Sequence, residues 1–275
     1  MNLFSVKDFE GSNIDCEIRG YHVYSTASCL KFSYDFDPGI YILEGDIDSG
    51  NWAFSSALFI KNKKKGRYRL PSCYLDETTE FYYNGEQVSR EEIRKHSWDL
   101  TGCKNKFFER KFDKTVRQRI ENGIRENNLP YDMEKIKEMF LFDESRLDRE
   151  TYKLSSNIIE HNAAIGFVDG KEIFCFPWIS KRGVGPYIWK IICLSSILAK
   201  NGCIVFIPIS ASALADLNEE IRKIEGELES GDSLFWKDRI EEFKKYQTVI
   251  KFPIYPKFNE YGEPINEFGE PIDED

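Results

Sequence analysis

Residues 39–52 read GIYILEGDIDSGNW, a short apolar run followed by a small loop with a glycine at each end. The run Ile40–Leu43 has the composition of a strand that is buried on both faces. The residues from Trp52 to Lys61 predict a helix, so the loop from Gly45 to Gly50 joins a buried strand to a helix. Glycines at these positions let backbone N–H groups surround an anion. The stretch therefore predicts an α/β fold whose first loop has the spacing of a phosphate-binding loop.

The same loop lacks the side chains that phosphate binding needs. A loop of the form GxxxxGK[ST] places a lysine on the phosphates and a hydroxyl on Mg²⁺. Here Gly50 is followed by Asn51 and Trp52, and Asp46 and Asp48 add negative charge. At about 4 Å and an effective dielectric constant of about 20, each contact between like charges costs about 4 kcal/mol. Two glycines alone are more often an ordinary connection, so this loop by itself does not establish nucleotide binding.

The rest of the chain alternates between strand and helix patterns. The order indicates an α/β domain with a helical insertion. The predicted strands are 28–36, a set within 66–88 that turns at Asn84-Gly85, Ile173–Phe176 and Cys203–Ile209. The predicted helices are a short one after Ser89, 104–128, 131–142 after Pro130, 155–168, 186–200 and most of 213–248.

The order of predicted elements divides the chain into three parts. Residues 1–215 form the α/β domain, with a helical subdomain at about 104–168, and residues 216–256 form a C-terminal helical extension. Residues 257–275 are predicted to be a flexible acidic tail, in which NEYGEPI (259–265) is nearly repeated as NEFGEPI (266–272). A solvated end is the first interpretation of the tail, and a docking peptide is the alternative.

Composition excludes several classes of function. The net charge of -9 argues against a general nucleic-acid binder. No apolar run approaches the roughly 18–20 residues that span a bilayer. The 7 cysteines form no CxxC pair, which indicates reduced thiols and a cytoplasmic protein. The 3 histidines have no Cys or His partner at ligand spacing, so neither a metal site nor a Ser-His-Asp set is predicted.

A second segment carries a family resemblance. Residues 148–180 read DRETYKLSSNIIEHNAAIGFVDGKEIFCFPWIS, which is similar to the signature segment of an ATP-binding-cassette (ABC) nucleotide-binding domain. The resemblance covers roughly residues 1–215 and lies in the order and spacing of the motifs, none of which is intact. The matching positions are Leu154-Ser155-Ser156-Asn157 for LSGGQ, Pro177-Trp178 for the acidic end of Walker B, Ser210 for the switch histidine and Tyr24 for the adenine-stacking aromatic residue.

This resemblance implies a P-loop NTPase-like ABC nucleotide-binding fold with an antiparallel β subdomain and a helical subdomain. It also implies a weak, vestigial nucleotide site at Tyr24, Gly45, Ser49, Gly50 and Asn51. Phosphoryl transfer depends on positioned charges, and Asn51, Pro177 and Trp178 supply none of them. The resemblance therefore implies a pseudo-ATPase with no catalytic residues and no metal ligands. ATP binding without the usual Mg²⁺ coordination stays open, and Trp52, Trp98 and Trp178 are predicted to fill space beside the nucleotide position.

Three hypotheses for function follow. The first is a non-hydrolysing subunit or regulatory partner of an ABC transport system. Its partner would be a second ABC-type nucleotide-binding subunit, a membrane permease, or another copy of itself. The protein would then be cytoplasmic and peripheral at the inner face of the membrane. The second hypothesis is a nucleotide sensor or weak ABC ATPase, and the third is a stand-alone protein-interaction module.

Overall fold

The computed structural model shows strands and helices throughout the residues that it describes. These residues are 3–9, 11–18, 21–25, 32–45, 50–59, 72–75, 78–100, 115–141, 144–150, 159–228, 234–252, 257–258 and 264–265. The strands are β1 (Phe4–Phe9), β2 (Gly11–Ile18), β3 (Tyr21–Ser25), β4 (Phe32–Phe36), β5 (Gly39–Glu44), β6 (Ser72–Leu75), β7 (Glu80–Tyr83), β8 (Glu86–Val88), β9 (Ser97–Asp99), β10 (Ile173–Cys175), β11 (Ile204–Ile209), β12 (Gln247–Lys251), β13 (Lys257–Phe258) and β14 (Pro264–Ile265). The helices are α1 (Asn51–Ala57), α2 (Arg90–His96), α3 (Val116–Glu126), α4 (Met133–Phe140), α5 (Ile159–Val168), α6 (Val184–Lys200), α7 (Ala211–Leu228) and α8 (Leu234–Tyr246).

A five-stranded parallel sheet organises the chain. Its strand order is β12-β5-β11-β10-β9, and all four neighbouring pairs are parallel. Strand β11 is buried along its whole length, and β5 is buried except at its last residue. A parallel sheet of this kind has layers on both faces, which is why its strands are apolar runs rather than alternating ones. The apolar runs predicted at 40–43 and 203–209 are these two strands.

One face of the parallel sheet is covered by aromatic side chains from an antiparallel sheet. The four-stranded sheet β4-β1-β7-β8 contributes Phe4 and Phe36, and α1 contributes Phe54. The ring centroids of Phe36 and Phe54 lie 4.9 and 5.3 Å from that of Phe206, both edge to face. Edge-to-face packing adds about 0.5–1.5 kcal/mol per pair beyond burial. This aromatic layer fixes the antiparallel sheet and α1 on one side of β5 and β11.

A cluster of polar side chains also joins the antiparallel sheet to the parallel sheet, next to the start of β10. Tyr83 of β7 stacks on His96 at the end of α2, with ring centroids 4.0 Å apart. The Tyr83 hydroxyl donates a hydrogen bond to the Glu172 carboxylate, which also lies 3.1 Å from Nδ1 of His96. Glu172 immediately precedes β10, so this cluster ties the antiparallel sheet to the amino end of the parallel sheet.

The opposite face of the parallel sheet is covered by helices. Ile40 and Ile42 face this layer, whereas Tyr41 and Leu43 face the aromatic layer, as alternation along a strand requires. Helix α5 approaches β9 closely at Gly166, where an added Cβ would lie 2.6 Å from the Trp98 ring. Substitution of this glycine would therefore push the helix away from the sheet.

The predicted fold class, an α/β protein with an antiparallel β subdomain, is confirmed. The turn at Asn84-Gly85 is present, and both residues have positive φ, 50° and 84°. Helices are present at each predicted position, and α5 is described from residue 159. The predicted helix 104–128 is not continuous, because Thr115 is extended and caps α3, which begins at Val116. No helix among the described residues is long and apolar enough to cross a membrane.

Strand β12 corrects the prediction for residues 216–256. That segment was expected to be a helical extension, but Gln247–Lys251 pairs in parallel with β5 and completes the central sheet. Helix α8 ends at Tyr246 and the strand begins at the next residue, so no Gly or Pro marks the change. In residues 257–275, β13 and β14 pair with each other, and the remainder lies outside the described residues. The flexibility of the tail stays a prediction.

Burial of Tyr41 generates a prediction about alkaline stability. Its hydroxyl donates to the Asp37 carbonyl at 2.9 Å, and burial raises its pKa from 10.0 to about 12. A pKa that is higher in the folded state means that folding favours the neutral phenol. This stabilisation is complete below about pH 10 and is lost as the pH rises towards 12. We expect Tyr41→Phe to lose less of its unfolding free energy than the wild type between pH 9 and 11.5, as measured by urea unfolding.

The matched control is Tyr131→Phe, because the Tyr131 hydroxyl bonds Asn201 near the surface. This control should follow the wild-type pH dependence. Equal pH dependence in the wild type and Tyr41→Phe would contradict the assignment.

Candidate functional site

The candidate site lies at the carboxyl ends of β5, β10 and β11. The connection after β5 leads to α1, whose Phe54 and Ala57 pack in the aromatic layer. The connection after β11 leads to α7, whose Ala213 and Leu217 pack in the helical layer. When the connections after two neighbouring parallel strands leave to opposite faces of the sheet, a crevice opens between the strands. Open α/β sheets bind their ligands in such a crevice. The crevice between β5 and β11 is therefore the position to test for nucleotide binding.

Asn51 is fully buried at the floor of this crevice. Its Nδ2 donates to the carbonyl of Leu43 at 2.8 Å and to that of Gly45 at 2.9 Å, with the Ile209 carbonyl at 3.4 Å. Its Oδ1 accepts from the backbone N–H of Trp52 at 2.6 Å. The side chain thus links the end of β5, the start of α1 and the end of β11.

These contacts use the hydrogen-bonding capacity that a phosphate site would need. An amide has two N–H hydrogens, and both are directed at main-chain carbonyls of the sheet. The N–H of Trp52, at the start of α1, is bonded to Asn51 rather than directed to the crevice. At the position where the P-loop resemblance requires a cation on the phosphates, this chain has a neutral side chain turned back into the protein.

The two loop glycines have separate structural roles. Gly50 is the N-cap of α1 and has a φ of 90°, a left-handed conformation that favours glycine. The backbone N–H of Gly45 donates to the Ile209 carbonyl at 2.9 Å, which extends the pairing of β5 with β11. Asp46, Asp48 and Ser49, between them, lie outside the described residues.

Pro177 and Trp178 follow β10 and interrupt its pairing with β11. Cys175 pairs with Phe206, and Ile179 pairs with Ile209, so four residues of one chain segment face three of the other. The backbone N–H of Ile179 resumes the pairing by donating to the Pro208 carbonyl at 2.8 Å. This is a bulge with one extra residue. Neither Pro177 nor Trp178 carries a group that binds Mg²⁺ or removes a proton from water.

Ser210 caps helix α7. It is buried, and its Oγ accepts from the backbone N–H of Ala213 at 3.2 Å and lies 3.2 Å from the Oγ of Ser212. Its backbone N–H donates to the Ile179 carbonyl at 3.1 Å. The residue at the predicted switch position therefore holds the end of β11, the segment after β10 and the start of α7 together.

Other predicted residues are not brought into the crevice by described contacts. Tyr24 lies in the three-stranded sheet β3-β2-β6, where its backbone pairs with Asp15, and its side chain is outside the described residues. Leu154, Ser155, Ser156 and Asn157 also lie outside them.

Trp98 contacts α5, since its Nε1 donates to the Asn162 carbonyl at 2.8 Å. Trp52 packs partly against the aromatic layer, and the Nε1 of Trp178 is buried with no hydrogen-bond partner among the described residues.

The titratable groups at these strand ends have ordinary structural roles. The Glu44 carboxylate lies 3.9 Å from the Nζ of Lys251, which joins the ends of β5 and β12. Burial raises the pKa of the Cys175 thiol well above its usual value, so this thiol is not a nucleophile at neutral pH. No group of three or more His, Cys, Asp or Glu residues with the arrangement of a metal site occurs in the described part of the chain.

A cavity of about 440 Å³ lies outside the crevice, between α3 and the end of α5. Its Arg119 forms an ion pair with Asp169 at 3.0 Å, and burial raises the pKa of that carboxyl. The Nζ of Lys171 donates to the Lys95 carbonyl at 2.5 Å. Arg119, Asp169 and Lys171 in the lining of this cavity thus already have partners within the protein.

Two features of the site were missed by sequence reasoning. The first is the Ile209 carbonyl, which accepts from both Gly45 and Asn51. Every residue has a backbone carbonyl, so the amino-acid type at this position does not reveal the acceptor. An asparagine directly after a helix-capping glycine is a hint of such a contact. The second is β12, whose sequence QTVIK contains strand-forming residues but follows a helix without interruption.

Comparison with known proteins found likenesses in solved structures only. No protein-family model matches the chain, and no curated protein matches it. The solved structures include an ABC transporter ATP-binding protein from Pyrococcus furiosus, with 14% identity, 76% of this chain and 90% of that chain covered, and a TM-score of 0.43. They also include cbiO1 from Clostridium perfringens, part of the ABC transporter complex cbiONQ, with 11% identity, coverage of 76% and 78%, and a TM-score of 0.43.

A third solved structure is an ATP-binding subunit of an ABC transporter, with 13% identity, coverage of 78% and 81%, and a TM-score of 0.46. Identities and TM-scores of this size do not decide what this chain binds or does.

The buried contacts of Asn51 predict a large effect of its removal. Asn51→Ala leaves the carbonyls of Leu43 and Gly45 without their donor, and a buried unsatisfied group costs about 1–3 kcal/mol. We expect the variant to lose about 2–4 kcal/mol of unfolding free energy, measured by urea unfolding at pH 7.

Asn201→Ala is the matched control, since the Nδ2 of Asn201 also donates to one carbonyl, that of Ile197 at 2.8 Å, but at the exposed end of α6. It should lose less than about 1 kcal/mol. Similar losses in the two variants would show that the Asn51 contacts do not hold the crevice together.

Proposed function

We propose that this chain is a catalytically inactive ABC-type domain that acts through protein contacts. The observation that carries the proposal is the buried Asn51 amide, which is bonded to the carbonyls of Leu43 and Gly45. Catalysis of phosphoryl transfer is almost entirely the positioning of charge on the phosphates and the metal. A side chain in this conformation supplies no charge to the crevice and keeps its floor occupied.

The other strand ends support the same conclusion. At β10 the chain offers Pro177 and Trp178, which provide neither a metal ligand nor a base. At β11 it offers Ser210, whose hydroxyl is engaged in capping α7. The carboxylate of Glu44 at the end of β5 adds a charge of the same sign as a phosphate. Asn51, Pro177, Trp178 and Ser210 thus supply none of the groups required for hydrolysis, although the five strands of the parallel sheet are all paired.

A domain that has the paired sheet but lacks catalytic side chains is suited to a role in assembling a protein complex. The partner we propose is an ABC-type nucleotide-binding subunit with an intact phosphate loop, a membrane permease, or both. One of the similar structures, cbiO1, is described as part of an ABC transporter complex. In this role the chain would be cytoplasmic and would reach the membrane through its partner.

The first test is calorimetric titration of the full chain with ATP, with and without Mg²⁺. We expect no binding at millimolar nucleotide, with an ABC subunit that has an intact GxxxxGK[ST] loop as the positive control. Magnesium-dependent binding would overturn the proposal. Binding that is independent of magnesium would favour a nucleotide sensor instead.

A variant at the loop provides a second readout. Asn51→Lys restores a lysine at one position only, so we expect no ATPase activity above that of a reagent blank. We also expect a lower melting temperature, because a buried amide is replaced by a charge. A gain of magnesium-dependent ATPase activity would show that the rest of the site is functional.

The partner is tested separately by affinity purification of the tagged chain from its native cell. Recovery of a protein with an intact phosphate loop, or of a membrane permease, is expected. Recovery of the chain without either, together with absent ATP binding, would leave the inactive site in place but overturn the role in an ABC system.

A further inference from the structure

The chain contains three Asn-Gly pairs, at residues 84–85, 122–123 and 201–202. An asparagine that precedes glycine is able to cyclise, because glycine has no Cβ to shield its backbone nitrogen. This nitrogen attacks Cγ of the asparagine side chain and closes a five-membered imide. The attack requires that the nitrogen is free of hydrogen bonds and that the backbone is able to rotate. The three pairs differ in both conditions.

The second and third pairs are held by helices. Gly123 is buried in α3 against α5, where an added Cβ would lie 2.6 Å from a methyl group of Val168. At the end of α6, the backbone N–H of Gly202 donates to the Ala199 carbonyl at 3.0 Å. Both helices must therefore open locally before either pair cyclises, which slows the reaction.

The first pair lies in an exposed turn. Asn84 and Gly85 join β7 to β8, and both residues are exposed and have positive φ. No described residue accepts a hydrogen bond from the backbone N–H of Gly85. Strand β8 is the last strand in the order of its sheet, and two of its three residues are exposed. A hairpin held this weakly opens at a low free energy, so the rotation that the attack needs is accessible.

We propose that Asn84 is a site of spontaneous deamidation. The Gly85 nitrogen bonds to Cγ of Asn84, the Cγ–Nδ2 bond breaks, and the proton of the Gly85 N–H leaves with Nδ2 as ammonia. Water then opens the imide at one of its two carbonyls and leaves a carboxylate, as aspartate or as isoaspartate. A neutral amide is thereby replaced by a negative charge. This inference does not depend on the proposed ABC role, because Asn84 lies outside the crevice.

The new charge lies beside the cluster that joins the antiparallel sheet to β10. Burial and the Glu172 carboxylate raise the pKa of Tyr83, whereas a hydrogen bond from the Asn84 amide lowers it. The imidazole of His96 lies 3.1 Å from Glu172 and 3.8 Å from Glu92, so two carboxylates already share it. A carboxylate at residue 84 repels Glu172 and no longer donates to the phenol. Deamidation therefore weakens the contact between β7 and the start of β10.

The first test is incubation of the full-length chain at mildly alkaline pH, with deamidation at each asparagine followed by peptide mapping and mass spectrometry. We expect Asn84 to convert at least about tenfold faster than Asn122 and Asn201, which react only after local opening. Asn84→Gln is the matched control, since it keeps the amide but needs a larger ring, and it should stop conversion at this position. Equal rates at the three pairs, or a slower rate at Asn84, would overturn the proposal.

A melting experiment tests the consequence. Asn84→Asp introduces the charge directly, and we expect it to lower the melting temperature by about 2–4 °C. In a Glu172→Gln background the same substitution should cost less than half as much, because the repelling carboxylate is absent. Asn122→Asp is the matched control for added charge, since Arg125 bonds residue 122, and it should not lower the melting temperature. An equal loss in both backgrounds, or no loss, would overturn the weakening of the cluster.

Discussion

The hydrogen bonds of Asn51 are the constraint on which the rest of the crevice depends. A parallel sheet ends in carbonyls that no neighbouring strand satisfies, and a strand-to-helix loop must either solvate them or bind them. Here one amide binds the carbonyls at the ends of β5 and β11 and also receives the N–H of Trp52. The loop glycines and the capping serine then have fixed positions relative to one another. An anion-binding arrangement and this one are alternatives, because both use the same start of α1.

The aromatic layer holds the strands and the helix on either side of the crevice in place. Phe206 of β11 contacts rings from β4 and from α1, so the same side chain that packs the sheet also holds the helix that follows the loop. Apolar burial in this layer therefore contributes to the stability of the region around the crevice.

The sequence predicted most of the fold and part of the site. The runs at 40–43 and 203–209 were recognisable because strands buried on both faces are apolar throughout, and Asn84-Gly85 because both residues adopt positive φ. Strand β12 was not recognisable, since it follows α8 directly and is exposed at Thr248, Val249 and Lys251. The sequence predicted that position 51 carries no cation, but it did not predict which carbonyls the Asn51 amide binds. That direction depends on the carbonyl of Ile209, which is distant in sequence and acts through its backbone.

The pairing of β12 with β5 has a consequence for how the chain folds during synthesis. Strand β5 is made early, but one of its two neighbours comes about 200 residues later, after every helix of the covering layer. Until then its outer side is an unpaired strand edge that is able to pair with another nascent chain. The ribosome must therefore release almost the whole domain before both edges of β5 are paired. Truncation before residue 247 should yield an aggregating species rather than a smaller stable domain.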